Sequence, residues 1–168
     1  MSPLTITLGD EFQGVLKNEF SFYEVLTWIE KNKWRSNEEI RLRYVLEYGQ
    51  IETDINTEIA HGMMGEGLKI AREKLSNLKK EKALFSISQN VKQAELKQIM
   101  VHLYLSHVGD WNWRDKDLIW NFLEFTDYKT VAERLQKDTS LIWKRQYSLG
   151  LDNYQKLKRA LEIVFCSR

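Results

Sequence analysis

The stretch Leu4–Leu16, LTITLGDEFQGVL, decides how the chain begins to fold. In its first half Leu and Ile alternate with Thr, which is the two-residue period of a β-strand. Gly9 and Asp10 interrupt this alternation, and a second apolar run then starts at Phe12. We therefore predict a β-hairpin that carries Asp10 and Glu11 at its turn.

Outward from the hairpin, the spacing of apolar residues changes from segment to segment. From Phe22 to Asn32 it follows the helical period, with Ser21 as the predicted N-cap. Alternation returns over Ile40–Tyr48 and predicts the clearest strand of the chain. Met64–Leu78 has the apolar spacing of an amphipathic helix, and Ala83–Ile87 is predicted to form a last short strand.

Beyond Gln89 the chain shows only the spacing of helices. We place a boundary near residue 88, so that residues 1–88 form an α+β domain and residues 89–168 an all-α domain. The apolar face of the first helix in the second domain is marked by Leu96, Ile99, Met100 and Leu103. Most of the tryptophans are expected in the core or between helices; they are Trp28, Trp34, Trp111, Trp113, Trp120 and Trp143.

Composition and charge limit the class of protein. The 168 residues include one Cys, one Pro and eight Gly, which excludes a disulfide scaffold and a collagen-like repeat. The 25 basic and 24 acidic residues give a net charge of +1. From Lys129 onward nine residues are basic and four are acidic, so the C-terminal segment alone carries +5. This asymmetry favours a polyanionic partner for that segment, with a merely solvated basic face as the alternative.

The basic segment has the spacing of a helix-turn-helix over about residues 115–168. A short helix over Thr130–Leu135 is followed by a tight connection and a second helix, for which Thr139 or Ser140 is the predicted cap. This arrangement resembles the DNA-binding motif of bacterial regulators, although Gln136 stands where Gly is common. The residues predicted to face double-stranded DNA are Thr139, Ser140, Lys144, Arg145 and Ser148.

The hairpin turn and a later helix start carry the residues that could handle phosphate. The adjacent carboxylates Asp10 and Glu11 are hard oxygen ligands of the kind that Mg²⁺ prefers. The turn resembles that of diguanylate and nucleotide cyclase palm domains, but the catalytic positions of such cyclases correspond here to Lys69 and Glu73. Cyclase activity is therefore not expected. Backbone N–H groups at Gly65 and Gly67, with Lys69, are phosphate candidates, and a simple helix-entry turn is the alternative.

Taken together, three motifs resemble those of the bacterial SatD family. They are Leu8–Gly14, Tyr48–Asn56, and the Gly62 to Gly65 segment that leads into a helix with Ala71 and Arg72. The resemblance covers nearly the whole chain and implies a truncated ferredoxin-like, palm-like part of hairpin-α-β-α-β order, followed by the helical part. Family members usually begin earlier, with a strand that bears an Asp. Without that strand we expect the sheet either to pair directly or to leave edges that favour a homodimer.

The function expected from these features is that of a DNA-binding transcriptional regulator of the SatD type, with nucleotide or metal sensing by the palm-like part left open. The alternatives are a Mg²⁺-dependent phosphate-handling enzyme and a protein-interaction module. The lone Cys166, the missing signal-peptide pattern and the absence of a long apolar run favour a bacterial cytoplasmic protein with no membrane partner.

Overall fold

The computed structural model describes residues 1–166, which contain seven α-helices and four β-strands. The predicted α+β class and the order of elements are confirmed. The strands are β1 (Ser2–Leu8), β2 (Glu11–Val15), β3 (Tyr44–Leu46) and β4 (Phe85–Ile87). The helices are α1 (Glu19–Asn32), α2 (Glu66–Glu81), α3 (Ala94–Gly109), α4 (Lys116–Phe125), α5 (Tyr128–Leu135), α6 (Thr139–Ser148) and α7 (Leu151–Cys166). No helix within residues 1–166 combines the length and the apolar character needed to cross a bilayer.

The strands form two separate sheets of two strands each. The hairpin β1–β2 is antiparallel, and β3 pairs with β4 in parallel. The hairpin and β3 belong to different sheets, so the expected direct pairing of the hairpin with β3 is not seen, and the homodimer stays a prediction. The strand predicted over Ile40–Tyr48 is limited to Tyr44–Leu46, because β4, the strand with which it pairs, is three residues long.

Local sequence sets the start of α1 differently from the prediction. Asn18, not Ser21, is the N-cap, and its side-chain oxygen accepts the backbone N–H of Ser21 at 3.0 Å. Both residue types suit this position, because a short polar side chain can satisfy one of the free N–H groups of the first turn. The helix therefore begins three residues earlier than the apolar spacing indicated.

One apolar core runs through the strands and the helices. The ring of Phe22 on α1 lies 5.4 Å from that of Phe85 on β4 and 5.5 Å from that of Phe165 on α7. The same buried cluster continues into α3, α4 and α5. The boundary near residue 88 stays a prediction, and the packed core extends across it.

A buried carboxylate lies where α1 meets β3. Glu30 is 2% exposed, accepts the hydroxyl of Tyr44 at 2.6 Å and pairs with the ammonium of Lys33 at 2.5 Å. Burial, together with the neighbouring charge of Glu30, raises the pKa of Tyr44 far above its ordinary value, so this hydroxyl remains a donor. The group therefore ties α1 to the small parallel sheet.

The face that α3 turns inward is not the one marked by Leu96, Ile99 and Leu103. Those three side chains are 43%, 49% and 50% exposed, and the buried face is formed by Val101, Tyr104, Leu105 and Val108. The helix is apolar on both sides, so spacing alone does not determine which side meets the core.

The expectation that most of the tryptophans pack in the core is confirmed for four of the six: Trp34 and Trp111 are buried, and Trp113 and Trp120 pack against the core. It is wrong for Trp28 and Trp143, which are 64% and 54% exposed. Both exposed rings lie on helices whose buried face is formed by other residues, such as Leu26 on α1 and Ile142 on α6.

Candidate nucleic-acid interface

The connection between α5 and α6 is a tight turn. Gln136 adopts a left-handed conformation with φ of 52°, and the N–H of Lys137 donates to the carbonyl of Ala132 at 3.0 Å. Left-handed backbone usually favours Gly, so Gln136 is a strained substitute in the same role. Val131 and Ala132 are almost fully buried, which brings α5 close to its neighbours.

The first turn of α6 is held by an acidic cap. The carboxylate of Asp138 accepts the N–H of Leu141 at 3.0 Å and the hydroxyl of Ser140 at 2.6 Å. The prediction of Thr139 or Ser140 as the N-cap is therefore wrong, by one residue for Thr139 and by two for Ser140. These two hydrogen bonds hold the pKa of Asp138 below its ordinary value, and the bond from the Ser140 hydroxyl has the larger effect.

We expect acid to weaken the helix-turn-helix through its caps. Asp127 caps α5, and the Thr130 N–H lowers its pKa, as Ser140 does for Asp138. Carboxylates with lowered folded pKa values stabilise the fold above their unfolded pKa of about 3.8, and this contribution is lost as the pH falls through the folded value. Asn can cap a helix but does not titrate. Between pH 6 and pH 2 the melting temperature of the double variant Asp127→Asn/Asp138→Asn should therefore fall less steeply than that of the wild type. Equal slopes would contradict the prediction.

The outward face of α6 brings three of the five predicted DNA-facing residues together. Ile142 and Leu149 are turned inward and are 1% and 8% exposed. The exposed side chains include Thr139, Ser140, Lys144 and Ser148. Ser140, Lys144 and Ser148 follow one another at four-residue intervals on one side of α6, so a ligand that lies along the helix can contact them at once. Thr139 lies nine residues before Ser148 and is therefore on a different side of the helix.

Arg145, the fifth predicted residue, lies on the flank of α6. Its Nη2 is 2.5 Å from the Oδ2 of Asp115, in the 3₁₀ turn that precedes α4, and its Nη1 is 3.4 Å from the hydroxyl of Ser148. This ion pair fixes α6 against α4. Another anchor is the indole N–H of Trp111, which donates to the carbonyl of Leu149 at 2.7 Å.

Two exposed aromatic side chains join the α6 surface, and the sequence analysis did not single them out as contacts. Trp143 is 54% and Tyr147 85% exposed, and they lie one helical turn apart. Their exposure could have been predicted from their spacing relative to Ile142. On a helix, residues one and five positions after a buried residue do not lie on the buried face.

The basic surface is smaller than the charge count indicates. Lys156 forms an ion pair with Asp152 at 2.5 Å, and Arg159 forms one with Glu162 at 2.7 Å. The guanidinium of Arg134 lies over the ring of Phe125, 4.2 Å from its centroid. The outward face of α6 itself contributes one cation, Lys144.

The two carboxylates of the hairpin turn are only partly available. Asp10 is exposed, whereas a carboxylate oxygen of Glu11 lies 3.4 Å from the Nζ of Lys79 on α2. Within residues 1–166 no group of three or more His, Cys, Asp or Glu side chains is placed to hold a metal ion. A Mg²⁺ ion at this turn would therefore draw its other ligands from water or a bound phosphate.

The glycines at the start of α2 have a packing role. The N–H of Gly67 donates to the carbonyl of Gln50 at 3.0 Å, and a Cβ at Gly65 would lie 2.5 Å from that same oxygen. The Lys69 ammonium is exposed and lies 3.8 Å from Glu66. These contacts favour the helix-entry alternative for Gly65, Gly67 and Lys69 over a phosphate cradle.

Comparison with known proteins agrees with this architecture. The family model described as the SatD family matches residues 1–164 of the chain. No curated protein and no solved structure shows a significant match. Because the family match covers all four strands and all but the end of α7, this chain belongs to the SatD family.

Proposed function

We propose that the chain is a DNA-binding transcriptional regulator that docks the outward face of α6 against duplex DNA. The observation that supports this most directly is the exposure of α6 within a tight helix-turn-helix, with Ser140, Lys144 and Ser148 on one side. Hydroxyl groups and a Lys on such a face suit phosphate oxygens and the edges of the major groove.

Within this proposal Lys144 and Arg145 have different roles. Lys144 is exposed and forms no ion pair with any described residue, so it is the contact to phosphate. Arg145 is held by Asp115 and orients α6; it would reach a guanine only by leaving that carboxylate.

Fluorescence anisotropy with labelled 30-base-pair duplexes from a genomic pool tests the proposal. We expect affinity to fall at least tenfold between 50 and 200 mM salt, because each neutralised phosphate releases counterions. Lys144→Ala should weaken binding to every sequence several-fold and reduce the salt slope by about one.

The matched control is Lys80→Ala, which removes an exposed Lys from α2 and should leave binding unchanged. Equal affinities for wild type and Lys144→Ala would show that α6 is not the DNA-contacting helix. No measurable duplex binding by the wild type at 50 mM salt would remove the proposal altogether.

A protein-interaction module is the second candidate, favoured by the exposed aromatic pair. Trp143 and Tyr147 are residue types that dominate protein interfaces, and only one cation accompanies them on this face. A variant with Trp143→Ala and Tyr147→Ala separates the two candidates. A loss of duplex affinity supports the DNA proposal, whereas unchanged duplex affinity would assign the aromatic pair to a protein partner.

A further inference from the structure

The ion pair between Arg145 and Asp115 lies beside the outward face of α6. Arg145 follows Lys144 directly and stands one turn before Ser148, and its Nη1 is 3.4 Å from the Ser148 hydroxyl. Its Nη2 is 2.5 Å from the Oδ2 of Asp115, in the 3₁₀ turn Trp113–Asp115. The guanidinium therefore connects the outward face of α6 with the start of α4.

Asp115 directly precedes α4, in the position where an Asp commonly caps a helix. Among the described residues it accepts no cap hydrogen bond from α4, and its carboxylate is turned to Arg145 instead. A carboxylate at the N-terminus of a helix is favoured by the helix dipole, whether or not a cation lies beside it. The charge of Asp115 is therefore stabilised at this position even when Arg145 turns away.

The ion pair is exposed enough to open. The side chains of Arg145 and Asp115 are 36% and 32% exposed. Ion pairs that water reaches contribute little net stability, because hydration compensates most of the attraction that is lost when they open. Helix α6 keeps other anchors, since Ile142 is buried and the Trp111 indole donates to the Leu149 carbonyl. Arg145 can therefore leave Asp115 while α6 stays in place.

A crevice of about 310 Å³ opens next to this pair, between the start of α4 and the turn that joins α5 to α6. Its walls include Arg145 and Asp115, the cations of Arg114 and Lys137, and the carboxylate of Asp117. Arg114 and Lys137 are exposed and form no ion pair with any residue that the structure describes. Because Arg145 and Asp115 balance each other, two cations and one carboxylate remain, and the crevice carries an excess of one positive charge.

The flank of a helix that lies in the major groove faces the sugar-phosphate backbone. The groove is about 12 Å wide and an α-helix with its side chains is about 10–12 Å across, so little space is left on either side. When the outward face of α6 enters the groove, the crevice on its flank meets the backbone of one strand. A guanidinium binds a phosphate through the same N–H groups with which it binds a carboxylate, so a phosphate and Asp115 compete for Arg145.

We propose that Asp115 is an internal competitor of DNA. In the free protein it holds Arg145, and on binding Arg145 exchanges this carboxylate for a backbone phosphate of duplex DNA, with Arg114 and Lys137 drawing the strand to the crevice. This proposal rests on the proposed function and adds to it a phosphate site beside α6. Asp115 is a positioning residue, because it acts on DNA through Arg145. Since every sequence carries the same phosphates, this competition lowers the affinity for all duplexes alike.

Fluorescence anisotropy with the same labelled 30-base-pair duplexes at 50 mM salt tests the exchange. Asp115→Asn keeps the size of the side chain but removes its charge, so Arg145 is free to bind phosphate, and the affinity should rise by about three- to tenfold. Asp115→Ser also lacks the charge and should show the same gain. The matched control Asp117→Asn removes a carboxylate from the same crevice without releasing a cation, and should raise the affinity by less than about twofold.

The substitution Asp115→Asn in an Arg145→Ala background shows whether the gain depends on Arg145. We expect a gain of less than about twofold there, because no guanidinium is left to be released. Equal gains in the two backgrounds would show that Asp115 acts only by general repulsion of DNA, and would overturn the exchange. Equal gains from Asp115→Asn and Asp117→Asn would lead to the same conclusion.

The exchange and the proposed function fail in different ways. If the wild type binds duplexes and Asp115→Asn binds them no better, the exchange is wrong and the proposed function stands. If neither protein binds duplexes at 50 mM salt, both are wrong.

Discussion

Glu30→Ala is expected to lower the free energy of unfolding by about 3–5 kcal/mol, the range for removing one partner of a buried ion pair. The carboxylate is 2% exposed, and its loss would leave the ammonium of Lys33 and the hydroxyl of Tyr44 without their acceptor. Both groups would remain in a low-dielectric setting, where an unpaired polar group is costly. Urea unfolding followed by tryptophan fluorescence measures the change.

Two matched variants show whether the loss comes from this buried cluster. Tyr44→Phe removes one donor but leaves the Glu30–Lys33 pair, so it should cost about 1 kcal/mol. Glu38→Ala removes an exposed carboxylate a short distance along the chain and should change stability by less than about 0.5 kcal/mol. If Glu30→Ala were as mild as Glu38→Ala, the buried pair would not stabilise the junction of α1 and β3.

Features set by neighbours in the chain could be predicted from the sequence. The hairpin, the helices α5 to α7 and the tight turn at Gln136 follow from alternation, helical spacing and short polar residues. Each of these signals acts within a few residues, so no knowledge of distant contacts is needed. The same local signals gave the residues on the outward face of α6.

Features that depend on distant partners could not be predicted. The alternation over Ile40–Tyr48 predicts a long strand, but the length of β3 is set by β4, about forty residues away. Arg145 has the sequence position of a DNA-reading residue, yet its direction is set by Asp115, thirty residues before it. The choice between the two apolar faces of α3 likewise depends on where α7 and β4 pack.

The glycines of α2 show the same limit. A Gly-rich helix start has the same sequence signal whether it cradles a phosphate or lets two backbones meet. In this chain, Gly67 at the start of α2 meets Gly49, which follows β3. The contact joins segments that are eighteen residues apart, and only coordinates reveal it.

Gly67→Ala is therefore expected to destabilise the fold by about 2–3 kcal/mol, in the range of overpacked sites. A Cβ at Gly67 would lie 2.7 Å from the carbonyl carbon and 2.8 Å from the Cα of Gly49. These are backbone atoms, so relief requires the loop after β3 and the start of α2 to separate, which also strains the Gly67 N–H bond to Gln50. Thermal and urea unfolding measure the loss.

Gly109→Ala is the matched control, because it also replaces a helical Gly and its Cβ would have no atom within 4 Å. There the substitution should be neutral or should stabilise by up to about 1 kcal/mol, the difference in helix propensity. Gly49→Ala should resemble Gly67→Ala, since its Cβ would lie 2.4 Å from the Gly67 Cα. Once one added Cβ has moved the two segments apart, the second Cβ has more room. The double variant should therefore lose less stability than the sum of the losses in the two single variants. Strict additivity, or a Gly67→Ala protein as stable as Gly109→Ala, would show that this crossing is not a tight backbone contact.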